Sequence, residues 1–255
     1  MHLTGEVTLL SPSRSAGTYT AVACASAAAV LSVDEVDAGG TRAVDVGKTA
    51  ASALKLLATD PKCACMIPMN CAFGFGASYL NGYFMAEVVK PSVGADKIGY
   101  LSSIVVGSAA LLALPYGRLG KAAGQAPVVA WGACCFGAFG VANLVAGKEN
   151  LGHWGALVPL AIAFGSGRSV WETNFKATFA DYFPDAKEAA FANVQLQSGV
   201  ASTVGFFVIP RISPAQLGAV AVFWSAAAFV FQFVAAYLYL RETIPDDDPR
   251  APSFT

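Results

Sequence analysis

Long apolar runs without a charged residue alternate with short polar segments along most of the chain. A helix needs about 20 mostly apolar residues to cross the hydrocarbon core of a bilayer. Five runs reach that length: Met66–Ala86, Ile98–Gly117, Ala126–Gly147, Ala189–Pro210 and Ala215–Leu240. Charged or turn-forming residues bound each of them. The pattern predicts an all-α, polytopic membrane protein.

A sixth span depends on a stretch that contains charges. From Trp154 to Gly167 only fourteen residues are uncharged, and a helix of that length does not cross. It becomes long enough if the helix continues through three charged residues toward Phe179. Six spans also put both ends of the bundle on one side of the membrane. The sequence therefore predicts a six-helix bundle over residues 61–242, with spans at about 66–87, 98–117, 126–147, 154–179, 189–210 and 215–240.

The residues before the bundle differ in kind from the rest. Thr18–Val33 is a run of small residues, and it is either part of a flexible segment or the remnant of a preceding span. The polar residues 34–47 are typical of a linker. An apolar face on residues 48–59 predicts an amphipathic helix along the membrane surface. Residues 1–60 are expected to be a cytoplasmic segment, and residues 243–255 a cytoplasmic tail.

The composition agrees with lipid as the solvent. Hydrophobic residues make up 55% of the chain and charged residues 13%, whereas soluble domains carry about 25% charged residues. The mean hydropathy is +0.54, and the net charge of −1 predicts no nucleic-acid partner. The six cysteines show no zinc spacing and no C-x-x-C pair. An integral, multi-pass membrane protein with no metal and no cofactor is expected.

Basic residues in the short loops indicate the orientation. If the N-terminal segment is cytoplasmic, that side collects Lys55, Lys62, Arg118, Lys121, Lys187 and Arg241. The other side collects Lys90, Lys97, Lys148 and Arg211. The bias predicts that both ends of the bundle face the cytoplasm.

Three stretches carry recognisable motifs. The first surrounds Asn81 with glycines and aromatic residues, and the second has Gly117 and Gly124 seven apart in a predicted short loop. The third reads G-x-G-x-x-V-W-x-T-N and then F-P-x-x-x-E-A-A-F-A-N. Its matching positions are Gly165, Gly167, Trp171, Thr173, Asn174, Phe183, Lys187, Glu188, Ala189, Ala190, Phe191, Ala192 and Asn193.

The loop glycines are similar to those of the major facilitator superfamily. The third stretch closely resembles the Unc-ninety-three-like branch of that superfamily, often called ion channel regulatory proteins. Three positions depart from the family pattern: Lys121 replaces an acidic residue, Arg168 stands where an acid is common, and Glu172 stands where an amide is common. The charge roles of relatives therefore do not carry over to these positions.

The resemblance extends from about Leu54 to Leu240. It implies the C-terminal six-span half of a major facilitator fold. Besides the lipid bilayer, the partner expected for such a half is a missing N-terminal half, a second copy, or another membrane protein. In the third motif, Glu188 is expected in the first turn of its helix, where the helix dipole favours a carboxylate.

Arg168, Glu172 and Lys176 stand four apart, and we call them the charged row. On a helix they form a slanting stripe about 12 Å long in which neighbouring charges attract. A charge at the bilayer centre costs several kcal/mol unless it faces protein or water. One interpretation is a stripe that lines a cavity or gating contact. The other is that Lys176 reaches the headgroups while Arg168 and Glu172 pair as a lock between helices.

Amides within the apolar runs supply the remaining candidates. Hydrogen bonding between helices is the expected role of most of them, including Asn143, Gln197 and Gln232. Transporter sites lie near the midplane on interrupted helices. Asn81, Asn174 and Gln195 lie on runs with glycine breaks or beside the charged row. With the charged pair itself, the candidate cavity or gating residues are Asn81, Arg168, Glu172, Asn174 and Gln195.

An enzyme is not expected, because the sequence shows no nucleophile–base pair, metal cluster or phosphate-binding loop. One remaining function is regulation of an ion channel or escort of another membrane protein, as the resemblance implies for some family members. The alternative is half of a facilitator-type carrier for a small solute or ion. A proton-coupled carrier needs a carboxylate in the membrane, and the only deep candidate, Glu172, has Arg168 as a neutralising neighbour. The sequence therefore favours the regulatory function.

Overall fold

The computed structural model describes residues 46–243, and within this range the chain is helical and has no β-strand. The predicted segment 18–33 and nearly all of the tail 243–255 lie outside the described residues. The prediction of an all-α membrane protein is confirmed, because four of the helices are long and apolar enough to cross a membrane.

Seven helices follow one another in the described part of the chain. They are α1 (Val46–Thr59), α2 (Pro61–Val93), α3 (Ala95–Ala123), α4 (Gln125–Leu151), α5 (Trp154–Val170, continued by Trp171–Phe175 and Lys176–Tyr182), α6 (Lys187–Val208, with a last turn at Ile209–Arg211) and α7 (Pro214–Thr243).

Membrane crossing is supported by length and hydropathy for α2, α3, α4 and α7. The charged row lowers the hydropathy of α5, and a series of polar side chains does the same for α6. The count of six spans therefore stays a prediction. The α5 helix nevertheless continues without a break through the charged row to Tyr182.

Local sequence signals explain where the helices begin and end. Asp60 accepts a hydrogen bond from the backbone N–H of Lys62 at 2.8 Å, and Pro61 occupies the first position of α2. Gly124, between α3 and α4, has φ of 89°, a conformation that side chains with a Cβ disfavour. Gly117, by contrast, lies inside α3, so the prediction that it belongs to the loop was wrong.

Two helices contain π-helical segments that the apolar pattern did not predict. One covers Tyr79–Val89 in α2, and the other covers Trp171–Phe175 in α5. Such segments carry one extra residue per turn and occur often at functional sites. The second segment lies within the charged row.

The helices pack as neighbouring pairs around an aromatic core. The α7 helix lies along α4, α3 along α5, and α6 along α2, while α1 packs on α6. Phe139 of α4 meets Tyr79, Phe84 and Phe164 with ring centroids 5.1–5.5 Å apart and edge-to-face. This core holds α2, α4 and α5 together and so fixes the positions of the polar residues described next.

Candidate functional site

The charged row lies on one helix, partly exposed at the surface of the chain. Nζ of Lys176 is 2.5 Å from Oε2 of Glu172, and Nε of Arg168 is 4.0 Å from Oε1 of the same carboxylate. The ammonium of Lys176 also lies 4.4 Å from the ring centroid of Trp171, a distance at which a cation and a ring attract. The carboxylate of Glu172 therefore lies between two cations.

This geometry corrects one sequence-based expectation. One of the two interpretations of the charged row was that Arg168 and Glu172 pair as a lock between helices while Lys176 reaches the headgroups. In the structure both pairs join residues of α5, four positions apart, and the shorter contact is the one with Lys176. Residues four apart share one helix face, so the row stabilises α5 itself and does not tie it to a neighbour.

The contacts that do join helices come from a buried set of amides, which we call the amide chain: Asn70, Asn193 and Gln197. Nε1 of Trp171 on α5 donates to Oδ1 of Asn70 on α2 at 2.9 Å. Nδ2 of Asn70 donates to Oε1 of Gln197 on α6 at 2.7 Å. One fully buried amide therefore connects α2, α5 and α6.

The amide chain continues to the amphipathic helix α1. Nε2 of Gln197 lies 3.5 Å from Oδ1 of Asn193, one turn away on α6. Nδ2 of Asn193 donates to the carbonyl oxygen of Ala53 on α1 at 2.8 Å. Because a buried polar group costs stability unless it is paired, these bonds position α1 against the bundle.

Two predicted cavity residues lie at the surface of the described chain. Asn81 is exposed and donates to the carbonyl oxygen of Ala77 in its own helix. Gln195 is also exposed, on the side of α6 away from Gln197. The structure therefore does not bring Asn81 or Gln195 into the amide chain, and their proposed cavity role stays a prediction.

Asn174, the fifth predicted residue, is buried between α3, α4 and α5. Its Nδ2 donates to the carbonyl oxygen of Tyr116 at 3.0 Å and to Oε1 of Gln125 at 2.8 Å, while Thr173 donates to its Oδ1. A Cβ added at Gly120 would collide with this amide. Gly120, and not Gly117, is therefore the glycine of α3 that this contact requires.

The residues of the third motif fall into packing positions and exposed ones. Gly165 and Gly167 are packing positions. A Cβ added at Gly165 would collide with α3, and one added at Gly167 would lie 2.9 Å from the ring of Phe136. Glu188 lies in the first turn of α6, as its expected dipole interaction requires. Phe191 is exposed.

The amides outside these sets behave differently from one another. Asn143 donates to the carbonyl oxygen of Phe139 in its own helix, and not between helices as expected. Among the described residues, the side-chain amide of Gln232 on α7 has no hydrogen-bond partner although it is buried.

A further ionic contact lies at the end of the bundle where α2 begins and α7 ends. Lys62 is only 6% exposed. Its ammonium group pairs with Asp60 at 3.5 Å and with Glu242 at the end of α7. It also lies 5.7 Å from the ring centroid of Phe183, which follows α5. The first and last crossing helices are thereby joined through one buried cation.

Sequence reasoning missed Asn70 and underrated Gln197. A signal for Gln197 and Asn193 exists, since two amides four apart on an otherwise apolar run share one helix face. Asn70 carries no comparable signal, because no other amide lies three or four positions from it in the sequence. What the arrangement does chemically is position helices and hold charge, by hydrogen bonds and ion pairs.

The fold and these contacts define an all-α polytopic membrane protein in which buried polar side chains join helices around an apolar core. No family model and no solved structure matches the chain. The chain is 26% identical over 151 residues to "Protein unc-93 homolog A" of Danio rerio, which covers 59% of this chain and 32% of that relative. It is 29% identical over 133 residues to the protein of the same name of Mus musculus, which covers 52% and 29%.

A plant protein shows the same similarity. "UNC93-like protein 3" of Arabidopsis thaliana is 24% identical over 168 residues, covering 60% of this chain and 34% of the relative. The chain spans about a third of the length of these curated relatives. Over these segments the chain is similar to UNC93-like proteins. None of the three names denotes an enzyme.

Proposed function

We propose that this chain forms a six-span half of a major-facilitator-type fold and regulates or escorts another membrane protein, an ion channel among the candidates. The observation that carries the proposal is the position of the Glu172 carboxylate between Arg168 and Lys176. A carrier that couples transport to protons needs a membrane carboxylate that gains and loses a proton. The Glu172 carboxylate is instead engaged in two ion pairs within its own helix.

The exposure of the charged row indicates where a partner binds. The side chains of Arg168 and Glu172 are 39% and 38% exposed, and that of Lys176 is 23% exposed. Charges within a span face protein or water and not lipid. A protein surface that covers the row therefore fits better than acyl chains do. The alternatives for that surface are an N-terminal half, a second copy of this chain, and an unrelated membrane protein.

The amide chain supports a static role for the interior. Asn70 holds α2, α5 and α6 together by direct bonds. Such bonds give a well-defined surface on which a partner can dock. The resemblance to ion channel regulatory proteins agrees with this function, and we assign the partner to the face that carries the charged row.

Site-specific photocrosslinking in cells tests the proposal. A benzoylphenylalanine at position 177, beside the row, is expected to crosslink to another membrane protein, which mass spectrometry then identifies. The matched control is the same label at Phe223 of α7, which is 62% exposed and is expected to crosslink to lipid only.

A transport measurement tests the alternative. The purified chain in liposomes is expected to give no saturable flux of small solutes or ions. Flux by the chain alone that disappears in Glu172→Gln would show a carrier and would overturn the proposed function. A protein crosslink at position 177 that is no stronger than at Phe223 would contradict the docking face.

A further inference from the structure

A groove between α3, α4 and α5 opens on a strongly apolar side of the chain. Its cavity volume is about 570 Å³, within the range of small-molecule sites. We call it the hydroxyl groove, and its lining residues include Leu112, Cys134, Ala138, Pro159, Ile162 and Ala163. Near it on α3, Leu111 and Leu114 are 79% and 73% exposed. Exposed leucines of this kind are typical of a surface in contact with lipid.

One end of the hydroxyl groove is polar. Nε1 of Trp131 donates to the hydroxyl of Tyr116 at 2.8 Å, and this hydroxyl lies 2.6 Å from Oγ of Ser166. The thiol of Cys135 donates to the same Oγ at 3.3 Å. All four side chains line the groove.

These four groups have one donor hydrogen more than the hydrogen bonds that join them. The indole, the phenol, the serine hydroxyl and the thiol each carry one donor hydrogen, but they are joined by three hydrogen bonds. If Tyr116 donates to Ser166, the hydrogen of the serine hydroxyl is left over. If Ser166 donates, the hydrogen of the phenol is left over. In either case one O–H has no acceptor among the described residues.

The polar end has a defined depth. Tyr116 lies about two turns before the end of α3, and Trp131 lies about two turns after the start of α4. Both are near the α3–α4 turn, whereas Leu112 and Ala138 lie further along their helices toward the middle of the bundle, and Pro159 lies beyond them in the second turn of α5. A lipid whose polar group lies near the membrane surface and whose apolar body extends toward the midplane matches this arrangement of the groove.

We propose that the hydroxyl groove binds a neutral membrane lipid of the sterol class, which accepts a hydrogen bond from the surplus O–H through its single hydroxyl oxygen. The lining contains no charged residue, so it offers no counter-charge to a phosphate headgroup. Small side chains at Cys134, Ala138 and Ala163 let a flat, rigid ring system approach the helix backbones. The site does not depend on the proposed regulatory function.

A second groove of the chain provides an internal comparison. It lies between α2, α6 and α7, has a volume of about 540 Å³, and is lined by Cys71, Val200 and Trp224 among others. Its one amide, Gln197, is already bonded to Asn70. This groove offers an apolar surface of similar size whose lining has no hydroxyl group.

Photolabelling of the full purified chain in nanodiscs tests the assignment. The probe is a sterol that carries a diazirine on its ring system and a free 3-hydroxyl group. Label is expected on peptides of α3, α4 and α5, and not on those that line the comparison groove. An unlabelled sterol is expected to compete about three- to tenfold better than the same ring hydrocarbon without oxygen, since one hydrogen bond contributes about 0.5–1.5 kcal/mol.

Substitutions make the hydrogen count itself testable. Tyr116→Phe leaves the Ser166 hydroxyl as donor, and Ser166→Ala leaves the Tyr116 hydroxyl, so each single variant is expected to retain most of the labelling. In the double variant the indole N–H of Trp131 has lost its acceptor and is itself a surplus donor. The triple variant that also carries Trp131→Phe has neither a hydroxyl nor this N–H, and it is expected to lose the preference for the sterol over the hydrocarbon. Cys71→Ala, in the comparison groove, is the control and is expected to label as the wild-type chain does.

Three results would overturn the proposal. The first is equal competition by sterol and hydrocarbon in the wild-type chain, a measurement that needs no variant to fold. The second is equal labelling of the two grooves. The third is labelling of the hydroxyl groove by a photoreactive phosphatidylcholine that sterol does not displace, which would show ordinary acyl chains filling it.

Discussion

Trp171 donates its indole N–H to Oδ1 of Asn70 at 2.9 Å, although 101 positions separate the two residues. The bond joins α5 to α2 at the level of the charged row. Asn70 at the same time donates to Gln197 on α6. One amide therefore satisfies two buried groups on two other helices, and the arrangement of these three helices depends on it.

Replacing Asn70 should reveal this dependence. Asn70→Ala leaves the Trp171 N–H and the Gln197 carbonyl oxygen buried without their partner, and each such group costs about 1–3 kcal/mol. The free energy of unfolding in a fixed detergent is expected to fall by about 2–4 kcal/mol, measured by denaturant titration. Asn143→Ala is the control, because that amide bonds only within its own helix. Equal losses in the two variants would show that the bonds between helices contribute nothing.

The apolar runs predicted the helices well, because a span needs a certain length of apolar residues whatever packs against it. They did not predict which face of a helix points inward. Gln195 and Gln197 are two positions apart and so lie on nearly opposite sides of α6, and a run that is apolar all round does not tell which side is buried. The spacing of Gly117 and Gly124 suggested a loop, but spacing alone does not distinguish a loop glycine from one inside α3.

The first glycine of the third motif should tolerate no side chain. At Gly165 an added Cβ would lie 2.5 Å from the carbonyl oxygen of Val105 on α3, and backbone of a neighbouring helix cannot move aside cheaply. Gly165→Ala is expected to lower the free energy of unfolding by about 1–3 kcal/mol, the cost of overpacking.

Gly199 offers the matched control for this substitution. It lies in α6, and no atom of the neighbouring described residues comes within 4 Å of a Cβ added there. Gly199→Ala is expected to leave the protein unchanged or to stabilise it by about 0.5–1 kcal/mol, because alanine favours a helix. Thermal unfolding of both variants in one detergent measures the difference. A Gly165→Ala protein as stable as Gly199→Ala would contradict the close approach of α3 and α5.

The number of spans can be decided at Asp185, in the connection between α5 and α6. If α5 and α6 both cross, this connection lies on the same side as Lys121, which is expected to be cytoplasmic. If neither crosses, it lies on the side of Asn150. In a background without native cysteines, Asp185→Cys is expected to resist a membrane-impermeant maleimide applied from outside. Asn150→Cys should react and Lys121→Cys should not, and reaction at position 185 would reduce the count to four.

The buried ammonium group of Lys62 should make the end of α7 sensitive to charge. Glu242→Lys brings two cations together beside Phe183, whereas Glu242→Gln removes one carboxylate and leaves Asp60 at 3.5 Å. We expect the glutamine variant to lose about 1 kcal/mol or less, since Glu242 is about half exposed, and the lysine variant to lose more. Denaturant titration measures both values. Equal losses in the two variants would show that the charge of Glu242 does not contribute to the free energy of unfolding.

The charged row should behave differently with and without a partner. In the purified chain Glu172 is 38% exposed, so Glu172→Gln is expected to change the free energy of unfolding by about 1 kcal/mol or less. Under a protein surface the same substitution leaves Arg168 and Lys176 adjacent without their anion, and removing one member of a buried set costs about 3–5 kcal/mol. The crosslink from position 177 to its partner is therefore expected to weaken strongly in Glu172→Gln. In Phe223→Leu, a change on the exposed side of α7, it should persist. A crosslink that survives Glu172→Gln at full strength would show that the row is not the contact.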